Sequence, residues 1–256
     1  WNIFNRTMII DIISCLNDNY SYLLSDTETN TVSIIDPSEF NKCDRIIEKK
    51  YQKLDYILNT HHHFDHVGGN QELKKKYKAK VLAYEKDKDR IPGIDISLKD
   101  KQVFKIGAKM FEVIFIPGHT SGHVAFYFKD EKIIFTGDTL FSLGCGKVFE
   151  GTNKQMFNSL NKLKSFPINT KIYFGHEYTK KNLDFCLKYD QENKLLKKKS
   201  EWLKLNITTV PTSIGEELKT NIFLRCSEPS IKDALNLKDS PDQEIFTKLR
   251  GLKDNF

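Results

Sequence analysis

The stretch Thr60-His-His-His-Phe-Asp-His-Val-Gly-Gly69 constrains this chain more than any other. An apolar run over residues 54–59 leads into it, and a helical pattern begins at Asn70. In extended backbone alternate residues point the same way. His61, His63 and Asp65 are therefore expected on one face, with His62 pointing elsewhere. His66 falls where the chain turns into the helix, and Gly68-Gly69 permits that turn. A single histidine is ordinarily satisfied by a backbone partner. Three imidazoles and a carboxylate aimed at one point repel one another when protonated, and when neutral they need a common electrophile. The stretch therefore reads as a metal site. Its nitrogen and oxygen donors suit Zn, Fe or Mn and exclude a soft thiolate site.

The remaining ligands are expected at other strand ends. His119 lies in Pro117-Gly118-His119-Thr120-Ser121-Gly122-His123, Asp138 in Thr136-Gly137-Asp138-Thr139, and His176 in Gly175-His176-Glu177-Tyr178. Glycine directly precedes each, which allows the backbone to come close to a crowded site. Taken singly, Asp138 is as readily a turn residue as a ligand. His123 could itself be a ligand or a support for one; because it belongs to the following strand, the supporting role is favoured.

Short β-type runs at 9–15, 20–24, 32–36, 55–59, 80–84, 111–116, 124–128, 133–136 and 171–174 alternate with turn signals. Helical spacing appears at 40–50, 70–77 and 153–163. Single helices inserted among strands fit two sheets between helices better than a strict βαβ wind. After Glu177 the pattern is helical and Lys-rich. Leu183, Cys186 and Leu187 share one face there, and Leu195, Trp202 and Leu205 roughly another. The expected domains are residues 1–176 and 177–256. The lysine triplets at 74–76 and 197–199 read as solvated helix faces.

The 256 residues carry a net charge of +6, which permits an anionic partner without choosing one. No apolar run is long enough to span a bilayer. The five cysteines are odd in number, widely spaced and lack a C-x-x-C, which points to a reducing compartment. Residues 1–7 precede Met8, a natural start, and read as a remnant of a cleaved leader or a cloning scar. The cytoplasm is the expected location, with an organelle matrix as the alternative.

H-x-H-x-D-H followed by separate His, Asp and His positions resembles the metallo-β-lactamase superfamily. Within it, the combination of Gly144-Cys-Gly-Lys147, Glu150-Gly-Thr152, Gly175-His-Glu-Tyr-Thr179, Asn221-Ile-Phe-Leu-Arg225 and Arg250-Gly-Leu-Lys-Asp254 resembles the glyoxalase II family of hydroxyacylglutathione hydrolases. The resemblance implies a mixed α/β fold, an αββα sandwich with a small C-terminal helical domain that binds substrate. It also implies two divalent metal ions, zinc first with iron or manganese as alternatives. His61, His63 and His119 would hold one metal, Asp65, His66 and His176 the other, and Asp138 would bridge. Asp65 and Asp138 would be catalytic, with a hydroxide between the metals attacking the carbonyl of S-D-lactoylglutathione. Lys147, Tyr178, Arg250 and Lys253 would bind glutathione. Phe149 stands where the family often has a tyrosine, which loses a hydroxyl contact and leaves packing. Cys145 reads as a packed loop residue. The expected partner is the glutathione thioester alone, with no nucleic acid and no membrane, and the chain is read as a monomer. A nuclease would need an RNA-gripping insertion, and none is evident. A persulfide dioxygenase needs one iron with open positions, and the complete second ligand set speaks against it. A non-catalytic binder would normally show a broken set.

Overall fold

A computed structural model describes residues 8–256; the leader reading of residues 1–7 lies outside the described residues. The chain divides into two compact units. One is the chain up to Phe115 with Gly122–Gly137, and the other is Ile116–Ser121 with Asp138–Phe256.

The first unit opens on β1 (Met8–Cys15) and β2 (Asn19–Asp26), an antiparallel pair in register from Met8 opposite Asp26 to Cys15 opposite Asn19. β3 (Thr31–Ile35) adds antiparallel to β2. α1 (Phe40–Lys50) then crosses over to β4 (Tyr56–Leu58), which runs parallel to β3. A short helix α2 (Phe64–Val67) and α3 (Asn70–Tyr77) lead to the parallel strand β5 (Lys80–Tyr84), and β6 (Ile96–Leu98) closes the six-stranded sheet. Parallel neighbours require such crossovers, so this half of the sheet is a true βαβ wind. Cys43 and Ile47 of α1 and Leu73 of α3 pack on Ile13, Leu23, Val32, Ile34, Ile57 and Val81.

The unit continues as an antiparallel meander of β7 (Val103–Ile106), β8 (Lys109–Phe115), β9 (Val124–Phe128) and β10 (Ile133–Gly137). Gly107 turns the first hairpin at φ +60°, where a Cβ would meet the Asp26 carboxylate at 2.5 Å. Aromatic pairs join the meander to the first sheet: Tyr22–Phe135 at 5.3 Å, Tyr84–Phe115 at 5.0 Å and Tyr56–Phe104 at 6.4 Å between centroids. The unit is thus layered helix, sheet, sheet, as the single inserted helices suggest.

The second unit begins with a hairpin of two two-residue strands, β11 (Leu140–Phe141) and β12 (Gly144–Cys145). α4 (Asn153–Lys164) follows, its start fixed by a reciprocal cap between Thr152 and Gln155. Then come β13 (Lys171–Phe174), α5 (Thr179–Tyr189), α6 (Lys194–Leu203), β14 (Thr212–Ser213) antiparallel to β13, α7 (Ile214–Thr220), α8 (Pro229–Ala234) and α9 (Asp242–Asp254). Phe223 stacks on Phe185 at 5.9 Å and meets Phe246 edge-on at 5.9 Å, forming an aromatic centre for these helices. The buried position of α6 is Leu196, whereas Leu195, Trp202 and Leu205 are exposed. The expected Leu195–Trp202–Leu205 face is therefore corrected. Lys199 departs from the solvated reading too: it pairs with Glu216 at 2.6 Å and lies over the Trp202 ring. No helix of the described residues is long and apolar enough to cross a membrane.

Candidate metal centre

β4 delivers the chain to Asn59 and Thr60, and a buried carboxylate receives it. Asp36 accepts the Thr60 N–H at 2.8 Å and the Thr60 hydroxyl at 2.6 Å, and its Oδ2 lies 3.1 Å from His66 Nδ1. Thr60 has one hydroxyl hydrogen, given to Asp36, so its oxygen accepts from His61 Nδ1 at 3.0 Å. Both imidazoles then carry their proton on Nδ1 and present a bare Nε2 lone pair, the state a metal ligand needs. Asp36 itself lies close enough to His61 and His66 to count as a donor. Its oxygens are occupied by these hydrogens, so it orients the two imidazoles.

The rings of His61 and His63 lie 4.8 Å apart and those of His61 and His66 4.2 Å apart. His62 diverges as expected, toward Arg90 and Asp87. Asp65 reaches the group differently from the sequence expectation. α2 starts at Phe64, so Asp65 and His66 sit on a helical turn and strict alternation ends at His63. Asp65 Oδ2 lies 3.7 Å from His66 Nε2 and accepts from Asn19 Nδ2 at 2.9 Å. Asn19 carries no motif signal in the sequence; only the end of β1–β2 pairing brings it here.

Gly68-Gly69 also works by another route than a turn. Both residues have negative φ, and a Cβ on Gly68 would meet Ser38 O at 2.5 Å. The requirement is close approach of two backbones. His123 is buried and stacks on His61 at 4.6 Å and 19°.

Three further candidates belong to the second unit. Asp138 Oδ2 lies 3.1 Å from His176 Nε2 and 3.5 Å from His119 Nε2. His119 Nδ1 donates to the Lys147 carbonyl at 2.8 Å, so in the neutral ring Nε2, turned to the carboxylate, carries the lone pair. Lone pairs aimed at each other from a buried imidazole and carboxylate need a cation between them. That donor chemistry fits a divalent ion. Gly146 closes over the group: a Cβ there would meet the Asp138 carbonyl at 1.9 Å and His119 Nδ1 at 3.2 Å.

The candidate substrate residues separate into exposed and buried. Lys147 and Phe149 are exposed, with the ammonium 5.6 Å from the ring and the ring edge-on to His119 at 5.3 Å. Tyr178 stacks on His176 at 4.8 Å and 5°. Arg250, by contrast, is only 5% exposed. Its Nη1 donates to the carbonyls of Cys145 at 2.8 Å and Gly146 at 3.3 Å, and Nη2 pairs with Asp254. Lys253 donates to the Lys181 carbonyl at 3.1 Å, over the rings of Phe185 and Phe256. Burial raises the pKa of the Cys145 thiol, as expected of a packed loop residue rather than a nucleophile.

The chain matches the metallo-beta-lactamase superfamily over residues 17–176 and the hydroxyacylglutathione hydrolase C-terminus over residues 177–256. A hydroxyacylglutathione hydrolase of Pelagibacter ubique is 53% identical over 97% of this chain and 100% of its own length. One of Methylococcus capsulatus is 42% identical over 95% of this chain and 97% of its own. Among solved structures, ETHE1 from Myxococcus xanthus superposes with a TM-score of 0.68 at 22% identity, covering 95% of this chain and 96% of that one. BLEG-1 B3 metallo-beta-lactamase gives 0.66 at 23% identity, covering 85% and 100%. At those identities the structures show the fold, a mixed α/β metallo-β-lactamase fold with a helical C-terminal region. The chain belongs to the hydroxyacylglutathione hydrolase (glyoxalase II) family of the metallo-β-lactamase superfamily.

Proposed function

We propose that the protein is a metal-dependent thioester hydrolase that cleaves S-D-lactoylglutathione to glutathione and D-lactate, as part of methylglyoxal detoxification. The observation that carries this reading is the likeness, over nearly its whole length, to proteins named hydroxyacylglutathione hydrolase. We assign His61, His63 and His119 to one divalent ion, Asp65, His66 and His176 to a second, and Asp138 to both, with zinc as the favoured metal. Such a pair, when bound, lowers the pKa of water to about 7 and polarises the thioester carbonyl.

The chain's own residues do the rest. Asp36 and Lys147 O hold protons on the Nδ1 side of His66 and His119, keeping the opposite nitrogens bare. Asp65, steadied by Asn19, orients the attacking water. The leaving thiolate has an intrinsic pKa of about 8.5 and departs without being protonated, so no general acid is required. The Lys147 ammonium and the Tyr178 hydroxyl bind glutathione, Phe149 packs on it, and Lys253 adds positive charge. Arg250 contributes chiefly by anchoring the Cys145–Gly146 backbone that presents Lys147, since its Nη donors already serve protein carbonyls and Asp254. Residues 177–256 would form the substrate-binding part, the protein would act as a monomer, and the five free, buried thiols fit a reducing cytoplasm.

A metal-replete preparation should release thiol from S-D-lactoylglutathione. No turnover by protein carrying two metal equivalents would sink the proposal.

A further inference from the structure

Between Asp138 and Lys147 the chain makes the β11–β12 hairpin, whose two-residue strands are too short to hold themselves. Its turn contains Leu143 at φ +61°, a left-handed conformation that a buried leucine rarely adopts. Such a conformation persists only where its surroundings over-determine it. Here side chains from α5 and α7, and from Asn221 just beyond α7, supply that determination. Glu217 Oε2 accepts the Leu143 N–H at 2.7 Å. Asn221 Nδ2 donates to the carbonyls of Phe141 at 3.2 Å and Gly144 at 3.0 Å, and to Glu217 Oε2 at 3.0 Å. Asn182 donates to Ser142 O at 3.0 Å, and the Cys186 thiol to Leu143 O at 3.2 Å.

Glu217 is fully buried, and its hydrogen-bond partners are all neutral: the Thr212 hydroxyl at 2.7 Å, Asn221 and the Leu143 N–H. A buried carboxyl group without a cation is unfavourable as a mere filler. Its position explains it. The hairpin runs between two candidate ligands: it leaves Asp138 two residues before Leu140, and beyond Cys145 it places Gly146 against the Asp138 carbonyl and Lys147 O on His119 Nδ1. A shift of the turn would withdraw the acceptor that fixes the His119 tautomer and would move Lys147 as well.

We propose that Glu217, together with Asn221, is a positioning residue of the metal centre: by holding Leu143 it sets the hairpin that aims His119 and Asp138 and presents Lys147. The proposal rests on the hydrolase reading for its kinetic consequences and on the donor geometry for its metal consequences. It is tested on the full chain with Glu217→Ala, Glu217→Gln and Asn221→Ala. Zinc retention is measured by chelator competition, the ligand field by the visible spectrum of cobalt-loaded protein, and kcat and KM with S-D-lactoylglutathione. Folded Glu217→Ala should release one of two zinc equivalents at least about tenfold more readily, with an altered cobalt spectrum and kcat/KM lowered at least about tenfold. Glu217→Gln retains an acceptor for the Leu143 N–H, and Thr212 can reverse its hydroxyl, so this variant should stay within about threefold of wild type. Should Glu217→Ala not fold, Asn221→Ala decides with the same readouts and the same direction. A folded Glu217→Ala or Asn221→Ala protein that holds both zinc equivalents like wild type, with an unchanged cobalt spectrum, overturns the proposal. An inactive wild type would instead refute the hydrolase reading while the zinc and cobalt measurements still test this one.

Discussion

Asp36 and Glu217 are both buried acids, and their partners separate their roles. Asp36 receives hydrogens from Thr60 and His66 and thereby fixes how two imidazoles face outward. Replacing it by asparagine puts an amide donor where an acceptor is needed. Asp36→Asn should weaken metal binding about 10- to 100-fold, as loss of such an orienting carboxylate generally does. Chelator competition checks this, and unchanged affinity would refute the orienting role. For Glu217, burial is the largest influence and pushes its carboxyl up to about 7, with a smaller push from neighbouring Glu216; hydrogen bonds from Thr212, Leu143 and Asn221 pull the other way. Its folded-state pKa is thus above the unfolded value, so the folded protein holds this proton more tightly. The associated stability is complete below about pH 4.5 and is lost as pH rises through 7. Glutamine carries no proton to lose. The stability of Glu217→Gln relative to wild type should therefore increase between pH 4.5 and 7.5, by at most roughly 3 kcal/mol. Denaturant midpoints across that range read the trend, and a flat difference would contradict it.

At the scale of elements, α4 and α9 show how local chemistry reaches the candidate site. Thr152 and Gln155 cap α4 reciprocally, directly after Gly151, whose N–H donates to the carbonyl of Gly118, the residue before His119, at 3.1 Å. Thr152→Ala should lower stability by about 1 kcal/mol, measurable by urea unfolding. α9 sends Arg250 to the carbonyls of Cys145 and Gly146. A residue that only binds substrate would, on truncation, raise KM alone. Because Arg250 also anchors the loop, Arg250→Ala should raise KM and lower kcat together; a pure KM effect would restore the simpler role. The longer elements were legible because their periodicity is strong: α3 falls on residues 70–77 and β5 on 80–84 as expected. β6, β7, β11, β12 and β14 were missed because two to four residues carry little period. Gly107 between Ile106 and Lys109 was a readable hairpin signal for β7. The candidate ligands were legible from residue type and their glycine lead-ins. Asn19, Asp36 and Glu217 were not, because nothing in their neighbourhood of the chain announces contacts made 24 to 74 residues away.

Over the whole molecule, the proposed ligands run from His61 to His176, so far apart in sequence that a site built from them would exist only in a folded chain. Metal binding is then linked to folding: an ion that binds the native state and not the unfolded chain stabilises by an amount set by its concentration over Kd. At a thousandfold excess over Kd that is about 4 kcal/mol. Chelation should therefore lower Tm and abolish turnover, and added zinc should restore both. The restoration separates metal loss from irreversible unfolding, since a chain that had aggregated would recover neither. Cys145, Cys186 and Cys226 are not an alternative store for the ion, because all three are buried and burial raises their pKa, which disfavours the thiolate that zinc requires. Alanine at His66 should consequently abolish most of the zinc-dependent gain in Tm, whereas alanine at His62, which turns toward Arg90 and Asp87, should leave it intact. Equal losses from the two substitutions would mean that the zinc effect on stability arises outside the assigned ligands.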